Sequence, residues 1–459
     1  MTNKEIHHLY WRAGFGILPN QLKKATKKTR TALVKELFDG SKNFTPLIVD
    51  MSLIKQKTKA AFKKKAPKVN DEIQKMNRAL IRDFNTAWIN RILNSSELLR
   101  ERMTLFWANH FVVRDNRIDF VQEYNNALRK HALGNFGEFV KAISKQAAML
   151  KYLNNKQNRK QSPNENFARE LMELFTLGKG HYTEQDIKES ARAFTGYFHN
   201  LKGEFVIRNK QHDDSPKTFF GKKGNFDGDD IIDIILQEKQ CARFISEKIY
   251  RYFVNDKINE EYIEEMTNVF FDNYDIEKLM HHVFSSNWFY NNENIGTKIK
   301  SPIDLLVGMQ TIVPMTFGKK KALQYYQKSL GQILLFPPNV AGWKGGKSWI
   351  DSNTIVLRLR FASIFLNKTH IPVKRKGDFG DPLSRFIGLS GEKLNLFKVK
   401  ANWNTFESNF KKVETKNLSE YIIVPELNPG TKNYLEMLSK SSKEDYCIQL
   451  MSIPEYQMC

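Results

Sequence analysis

Residues 161–197 read QSPNENFARELMELFTLGKGHYTEQDIKESARAFTGY, and this stretch decides the fold. Projected at 100° per residue, Glu165–Leu177 places Phe167, Ala168, Leu171, Met172, Leu174 and Phe175 within one arc of roughly 160°. Glu165, Asn166, Arg169, Glu170, Glu173 and Thr176 occupy the opposite arc, and Leu177 alone falls out of register. Gly178 and Gly180 close the helix. Thr183-x-x-Asp186 then caps a second helix, in which Ile187, Ala191 and Phe194 share a face. Two amphipathic helices joined by a glycine turn have to bury their stripes against other helices.

The flanks carry the same signal. The spacing predicts a capped helix over Thr2–Gly14 and two further basic helices up to Gly40. Long helices follow around Ile73–Leu93, Glu97–Phe111, Ile118–Leu133 and Phe136–Leu153, broken by Asn, Ser and Gly. Asp229–Val254 reads as two helices, with more at Glu260–Phe271, Ile276–Phe284, Pro302–Val313, Leu323–Leu335, Thr354–Leu366 and Lys443–Met451. The segment 197–212 reads as a small β-hairpin turning at Leu201-Lys202-Gly203. The expected fold is therefore mainly α: a multi-helix globular assembly with one hairpin insertion. Residues 1–370 form the expected main domain, and 371–459 a smaller, mixed region packed on it. The run Lys55–Lys68, with seven lysines and no acid, reads as an exposed, mobile insertion.

With 459 residues the chain is long enough for a large core. It carries 72 basic against 50 acidic residues, a net charge of +22 that favours polyanions in general. No helix-turn-helix, zinc-finger or RNA-recognition signature accompanies that charge, so specific nucleic-acid binding is not expected. No apolar run reaches 18 residues, so no membrane span is expected. The start, MTNKEIHHLYWRAGFG, lacks the apolar core of a signal peptide. Three widely spaced cysteines, Cys241, Cys447 and Cys459, form neither a disulfide framework nor a zinc knuckle. A reducing cytoplasm is the expected compartment.

Glu165, Arg169 and Glu173 stand four apart, so the arginine can bridge both carboxylates, and Glu189 and Arg192 can pair at i, i+3. The functional reading is a cleft in which Glu165, Glu173, His212 and Asp213 do acid–base work or hold a metal. Arg169 and Arg192 would clamp an anionic group there, roofed by Asn339, Trp343 and Trp349 of the Pro/Gly/Trp loop 337–349. The alternative is a solvated, salt-bridged face. His110 falls on the apolar face of its helix with Leu99, Met103 and Phe106, the setting of a hydrogen-bonded core histidine rather than a ligand. Asn225, Asp227, Asp229 and Asp233 stand at positions 1, 3, 5 and 9 of a calcium-type loop, which makes a divalent metal the candidate cofactor. Asp230 replaces the required glycine and Leu236 the closing glutamate, so Asp227 and Asp230 also read as a helix cap. There is no Gly-x-Ser-x-Gly elbow, His-Glu-x-x-His site or dinucleotide fingerprint.

RAGFG (12–16), RERMTLFWANHF (100–111), PNENFARELMELFTLGKGHYTEQDIKESARAFTGY (163–197), KTFFGKKGNFDGDDIIDIIL (217–236), ARFISEKIYRYFV (242–254), IKSPIDLLVG (299–308) and LGQILLFPPNVAGWKGGKSWI (330–350) together carry a family resemblance. With the closing IPEYQ they span nearly the whole chain in order. The sequence resembles the bacterial domain-of-unknown-function family numbered eighteen hundred. Ala108 departs from the family's usual histidine at that position. The resemblance implies a mostly helical protein of unassigned activity. It also implies a companion of sulfatase or alkaline-phosphatase type, since genes of the two kinds are commonly neighbours. The reading is thus a small-anion or metal binder, possible hydrolase chemistry included; the alternatives are a non-catalytic accessory to such a companion, or a non-specific polyanion binder.

Overall fold

The computed structural model describes residues 1–64, 67–318, 320–366 and 399–459. The chain opens with α1 (Asn3–Ala13), α2 (Pro19–Ala25), α3 (Arg30–Gly40), α4 (Ser52–Lys64) and α5 (Pro67–Asn94). Next come α6 (Leu98–His110), α7 (Ile118–His131), α8 (Phe136–Ser144), α9 (Ala147–Tyr152), α10 (Asn166–Glu170) and α11 (Glu184–Ala193). Helices α12 (Gly228–Ile235), α13 (Lys239–Phe253), α14 (Glu260–Phe271) and α15 (Ile276–Ser285) complete the first group. The second comprises α16 (Pro302–Ile312), α17 (Lys320–Ser329), α18 (Ser352–Leu366), α19 (Trp403–Phe410), α20 (Ser419–Ile422), α21 (Pro429–Met437) and α22 (Lys443–Met451). The fold is mainly α, as its periodicity dictates.

The caps form where side chains reach orphan amides. Thr2 with Glu5, Thr183 with Asp186, Asp227 with Asp230 and Ser301 with Asp304 each close a reciprocal capping box. The expected hairpin is present as β1 (Tyr197–His199) against β2 (Phe205–Ile207). A second ribbon, β3 (Lys217–Phe219) with β4 (Lys222–Gly224), escaped the sequence reading; Phe220 and Gly221 both take positive φ in its tight turn. A third joins β5 (Met315–Phe317) to β6 (Val399–Ala401).

Helix α6 is the axle. All its residues except Leu98, Ala108 and Asn109 are buried. Leu99, Met103, Phe106 and Trp107 enter a first core, filled from α1–α3 and α7–α15. Leu105 enters a second, filled from α5, α16–α18 and residues 399–459. The charges of Arg100-Glu101-Arg102 are consequently buried, and each is spent on tying another element to the axle. Arg100 donates to the carbonyls of Ser41 (2.9 Å) and Arg129 (2.9 Å). Glu101 accepts from Arg129 (2.6 Å) and Trp88 Nε1 (3.1 Å). Arg102 reaches Asp304 (2.6 Å), the Trp11 carbonyl (3.1 Å) and the Gly14 carbonyl.

Three expectations need adjusting. Lys55–Lys68 is not a free insertion over its described part. Helix α4 packs on α5 and buries Ile54 at 6% exposure, because lysine is a good helix former whose stem leaves its head in solvent. Residues 65 and 66 of that run lie outside the described residues. The helix expected over Leu323–Leu335 ends at Ser329, where Gly331 turns at φ +84°. The helix expected over Phe136–Leu153 breaks into α8 and α9 at Lys145-Gln146. Of the expected smaller region 371–459, residues 371–398 lie outside the described residues. From 399 onward, Phe406, Phe410, Leu418, Tyr446, Cys447, Leu450 and Tyr456 fill the same core as α16–α18. Among the described residues, no helix is long and apolar enough to cross a membrane.

Candidate functional site

Helix α10 does not end at Glu170 but widens into a π-helix over Leu171–Thr176. Thr176 Oγ1 donates to the Leu171 carbonyl (2.6 Å), and the Leu177 amide to Met172 (2.9 Å), both five residues back. The wider turn rotates the residues after it, so Leu177, misplaced in a 100° projection, is fully buried. It also rotates Glu173 away from Arg169. Arg169 instead clasps Glu184 at the start of α11 (2.9 Å to each oxygen) and Glu165 (3.3 Å). Glu173 takes the Tyr182 hydroxyl (2.9 Å). The expected Glu165–Arg169–Glu173 bridge is thus replaced by one between helices. Burial, then the neighbouring Glu173 charge, raises the Glu170 carboxyl above its usual range against the pull of Arg169.

The π-turn leaves carbonyls without helical partners, and side chains from two distant helices take them. His110 Nε2, at the tip of α6, donates to Phe175 O (3.0 Å). Lys248 Nζ, on α13, donates to Leu174 O (2.9 Å), and Gln240 Nε2 to Leu177 O (2.9 Å). A carbonyl only accepts, so Nε2 of His110 carries the proton, and Nδ1 faces Lys248 Nζ at 3.3 Å as an acceptor. Burial, reinforced by the Lys248 charge, holds the imidazole well below its usual pKa. Burial also lowers Lys248 to about 8, against a weak opposing pull from Glu247. The amine is half-buried, lies 4.5 Å from the Phe244 ring centroid, and has no carboxylate within ion-pair distance among the described residues.

The tip of α6 also docks the loop 337–349. Asn109 Nδ2 donates to Trp343 O (2.9 Å), and Trp343 N to Asn109 Oδ1 (2.7 Å). Trp343 and Pro337 close a cavity of about 30 Å³ with Ala108, Asp115, Tyr124 and Asn125, room for one or two waters. Trp349 is buried, and its carbonyl accepts from Thr354 (3.1 Å). Asn339 is exposed and accepts from Ala341 N (3.0 Å). This loop lies against α6 and α7, and among the described residues no hydrogen bond joins it to Arg169 or Arg192.

The expected residues of α11 and its following loop do converge. Arg192 donates to Asp213 (2.8 Å), to both oxygens of Glu189 (3.0 and 2.9 Å), to Ser215 (2.5 Å) and to the Pro216 carbonyl (3.2 Å). Burial works against the charged Asp213, yet the hydrogen bonds from Arg192 and Ser215 hold it well below the usual carboxylate range. His212 Nδ1 donates to the Thr195 carbonyl (2.7 Å), and its Nε2 faces Asp214 at 3.7 Å. Every donor of Arg192 is therefore occupied. The structure brings Arg192, Glu189, His212 and Asp213 together and leaves Glu165, Arg169 and Glu173 in a separate, half-exposed cluster.

The calcium-type set does not converge. Asp227 caps α12, Asp229 pairs with Lys145 (2.6 Å) and Asp233 with Lys141 (2.7 Å), each drawn to a different partner. Among the described residues, no group of three His, Cys, Asp or Glu is placed to hold a metal ion.

Lys248 and Asn109 were not singled out by sequence. On α13 the buried stripe runs through Cys241, Ile245, Ile249 and Phe253, and Lys248 reads as a solvated lysine beside it. The single local hint was Leu177, whose misfit marks the π-turn. The family model described as "Protein of unknown function (DUF1800)" matches residues 8–458. No curated protein and no solved structure matches.

Proposed function

The chain belongs to the DUF1800 family, and from that premise we propose that it binds a small anionic ligand at Lys248. The observation that carries this reading is a half-buried amine held by the Leu174 carbonyl and His110 Nδ1, with no carboxylate to neutralise it. An ammonium so placed needs a counter-charge, and a ligand carboxylate or phosphate supplies one. The neutral imidazole beside it accepts a proton-bearing donor and fixes the amine's direction. The pair is poised for acid–base work close to neutral pH, the range in which a buried lysine serves as a base. The carboxylates and arginines of α10 and α11 then frame the region rather than touch the ligand. A bacterial, cytoplasmic setting fits the three buried free cysteines, and the net charge of +22 fits attraction of anions.

Trace acetylation of the full chain, read by mass spectrometry at Lys248 in the presence of citrate, phosphate or sulfate, tests this reading. Selective protection of Lys248 by at least one of these anions is expected, with other lysines unchanged. Uniform labelling with all three would overturn it.

A second reading is favoured by the full occupancy of Arg192 and by the clasp of Arg169 on Glu184 and Glu165: the clusters are structural, and the chain is an accessory to a sulfatase- or phosphatase-like companion. Co-purification with such a companion from native cells supports that reading, and recovery of the chain alone counts against it.

A further inference from the structure

The backbone of residues 298–300 pairs antiparallel with 457–459: Cys459 N donates to Lys298 O (2.8 Å), Lys298 N to Cys459 O (3.1 Å) and Lys300 N to Gln457 O (2.8 Å). Side chains alternate along such a ribbon, so Lys298, Lys300, Gln457 and Cys459 share one face. Arg12 flanks that face at one end, with Nη1 3.9 Å from Cys459 Sγ and Nη2 3.2 Å from Asn294 O. Arg358 flanks it at the other, with Nε 3.2 Å from Gln457 Oε1 and Nη2 2.6 Å from Lys300 O. Lys300 Nζ lies between the rings of Trp11 and Tyr456, 4.1 and 3.7 Å from their centroids.

The charges here do not balance. Arg12, Lys300 and Arg358 are 3%, 0% and 1% exposed, and among the described residues none has a carboxylate within ion-pair distance. Asp304, a buried acid whose charge acts on all three, is engaged by Arg102 (2.6 Å) and by its own cap on Ser301. Asp256 lies at the surface, 3.7 Å from Lys298. A lysine can shed its proton on burial, but an arginine cannot. Hydrogen-bonding capacity is unspent in the same place: Arg12 Nε, Arg358 Nη1, Gln457 Nε2 and the Tyr456 hydroxyl are all buried without partners. Three of these four are donors only, and the hydroxyl can donate. Water would satisfy the hydrogen bonds but leave the charge, and a cation would be repelled by the two guanidinium groups.

We propose that the Lys300/Gln457 face of this ribbon, between Arg358 and Arg12, binds a small oxyanion — inorganic phosphate, sulfate or a compact carboxylate — as an internal counter-ion. The ligand would accept from Arg358 Nη1 and Gln457 Nε2 and neutralise Lys300. Its role is to join α1, the segment 298–300, α18 and the closing strand. The site is separate from Lys248 and does not depend on the reading given to that residue.

The full chain, dialysed free of oxyanions into a chloride buffer, is titrated with phosphate and then sulfate at constant ionic strength while thermal unfolding is followed. A saturable rise in Tm of a few degrees is expected with at least one of them. Lys248→Met, which removes the other anion site, should keep that rise, and adding Arg358→Met to it should lose the rise. If that double variant does not fold, Lys248→Met/Gln457→Leu, which keeps every charge of this face, should need several-fold more anion than Lys248→Met for the same rise. An unchanged Tm with both anions overturns the proposal. So does a rise that survives in Lys248→Met/Arg358→Met, or one that keeps the Lys248→Met midpoint in Lys248→Met/Gln457→Leu.

Discussion

The carboxamide of Asn109 and the backbone of Trp343 hold each other through two hydrogen bonds, across 234 residues of sequence. Gly342 makes this approach feasible, since a Cβ there would sit on the Asn109 side chain and its φ is +76°. Asn109→Ala should therefore free the loop 337–349 from α6 at a cost of about 1–3 kcal/mol. Trypsin cleavage after the exposed Lys344 and Lys347 reads the release directly. Cleavage at the wild-type rate would show that the loop is held elsewhere.

Gly178 closes the π-turn at φ +84°, with the Phe244 ring 2.9 Å from where a Cβ would stand. Gly178→Ala should destabilise the protein by about 1–2 kcal/mol from the backbone term alone, with the ring clash added. Shortening the ring in Gly178→Ala/Phe244→Leu should recover the clash and not the backbone strain. Urea unfolding of the two variants separates the terms.

Lys248 should acetylate with an apparent midpoint near pH 8, because burial lowers its pKa to about 8. Surface lysines titrate near 10.4. Competitive labelling across pH 6–11, resolved by peptide mass, measures both in one experiment. A midpoint at the surface value would mean that the amine is solvated.

Lys248, Lys298 and Lys300 are lowered by burial to about 8, 8 and 7. Arg12 adds to the effect at Lys298 and Arg358 at Lys300, while Cys459 and Asp304 oppose it at both. Between about pH 7 and 10.4 the unfolded chain holds protons that the folded chain has released, so stability should rise with pH across that window. Below about pH 7 all three are protonated in both states and their contribution is flat. Lys300→Met should remove the earliest part of the rise, on the order of 1 kcal/mol or more. Chemical denaturation at pH 6.5, 8 and 9.5 gives the slope, and an unchanged slope in the variant would refute the assignment.

Arg129 and Glu101 form an ion pair with both side chains at 0% exposure. Glu101→Leu alone leaves a buried guanidinium without a counter-charge and should cost about 3–5 kcal/mol. The double variant Glu101→Leu/Arg129→Met should recover much of that loss. A single variant as stable as the wild type would show that water already reaches the pair.

Much of the fold was legible in the chain because helices, caps and tight turns are settled by neighbours within a few residues. Thr183 and Asp186 close a capping box wherever the helix packs, and the stripe of Phe167, Ala168, Leu171 and Met172 is buried as its spacing requires. Glu189 and Arg192 pair because i and i+3 face each other on any helix. The candidate site was legible only in fragments. Its polar groups choose partners by proximity in space, and one change in helical pitch at Leu171 redirects them. Arg169 turns to Glu184, Glu173 to Tyr182, and the freed carbonyls of Leu174 and Phe175 draw in Lys248 and His110 from helices 74 and 65 residues away. Sequence alone determined which residues are apolar, charged or able to cap. Tertiary structure decided which buried charges meet, because that depends on which helix ends come together around α6.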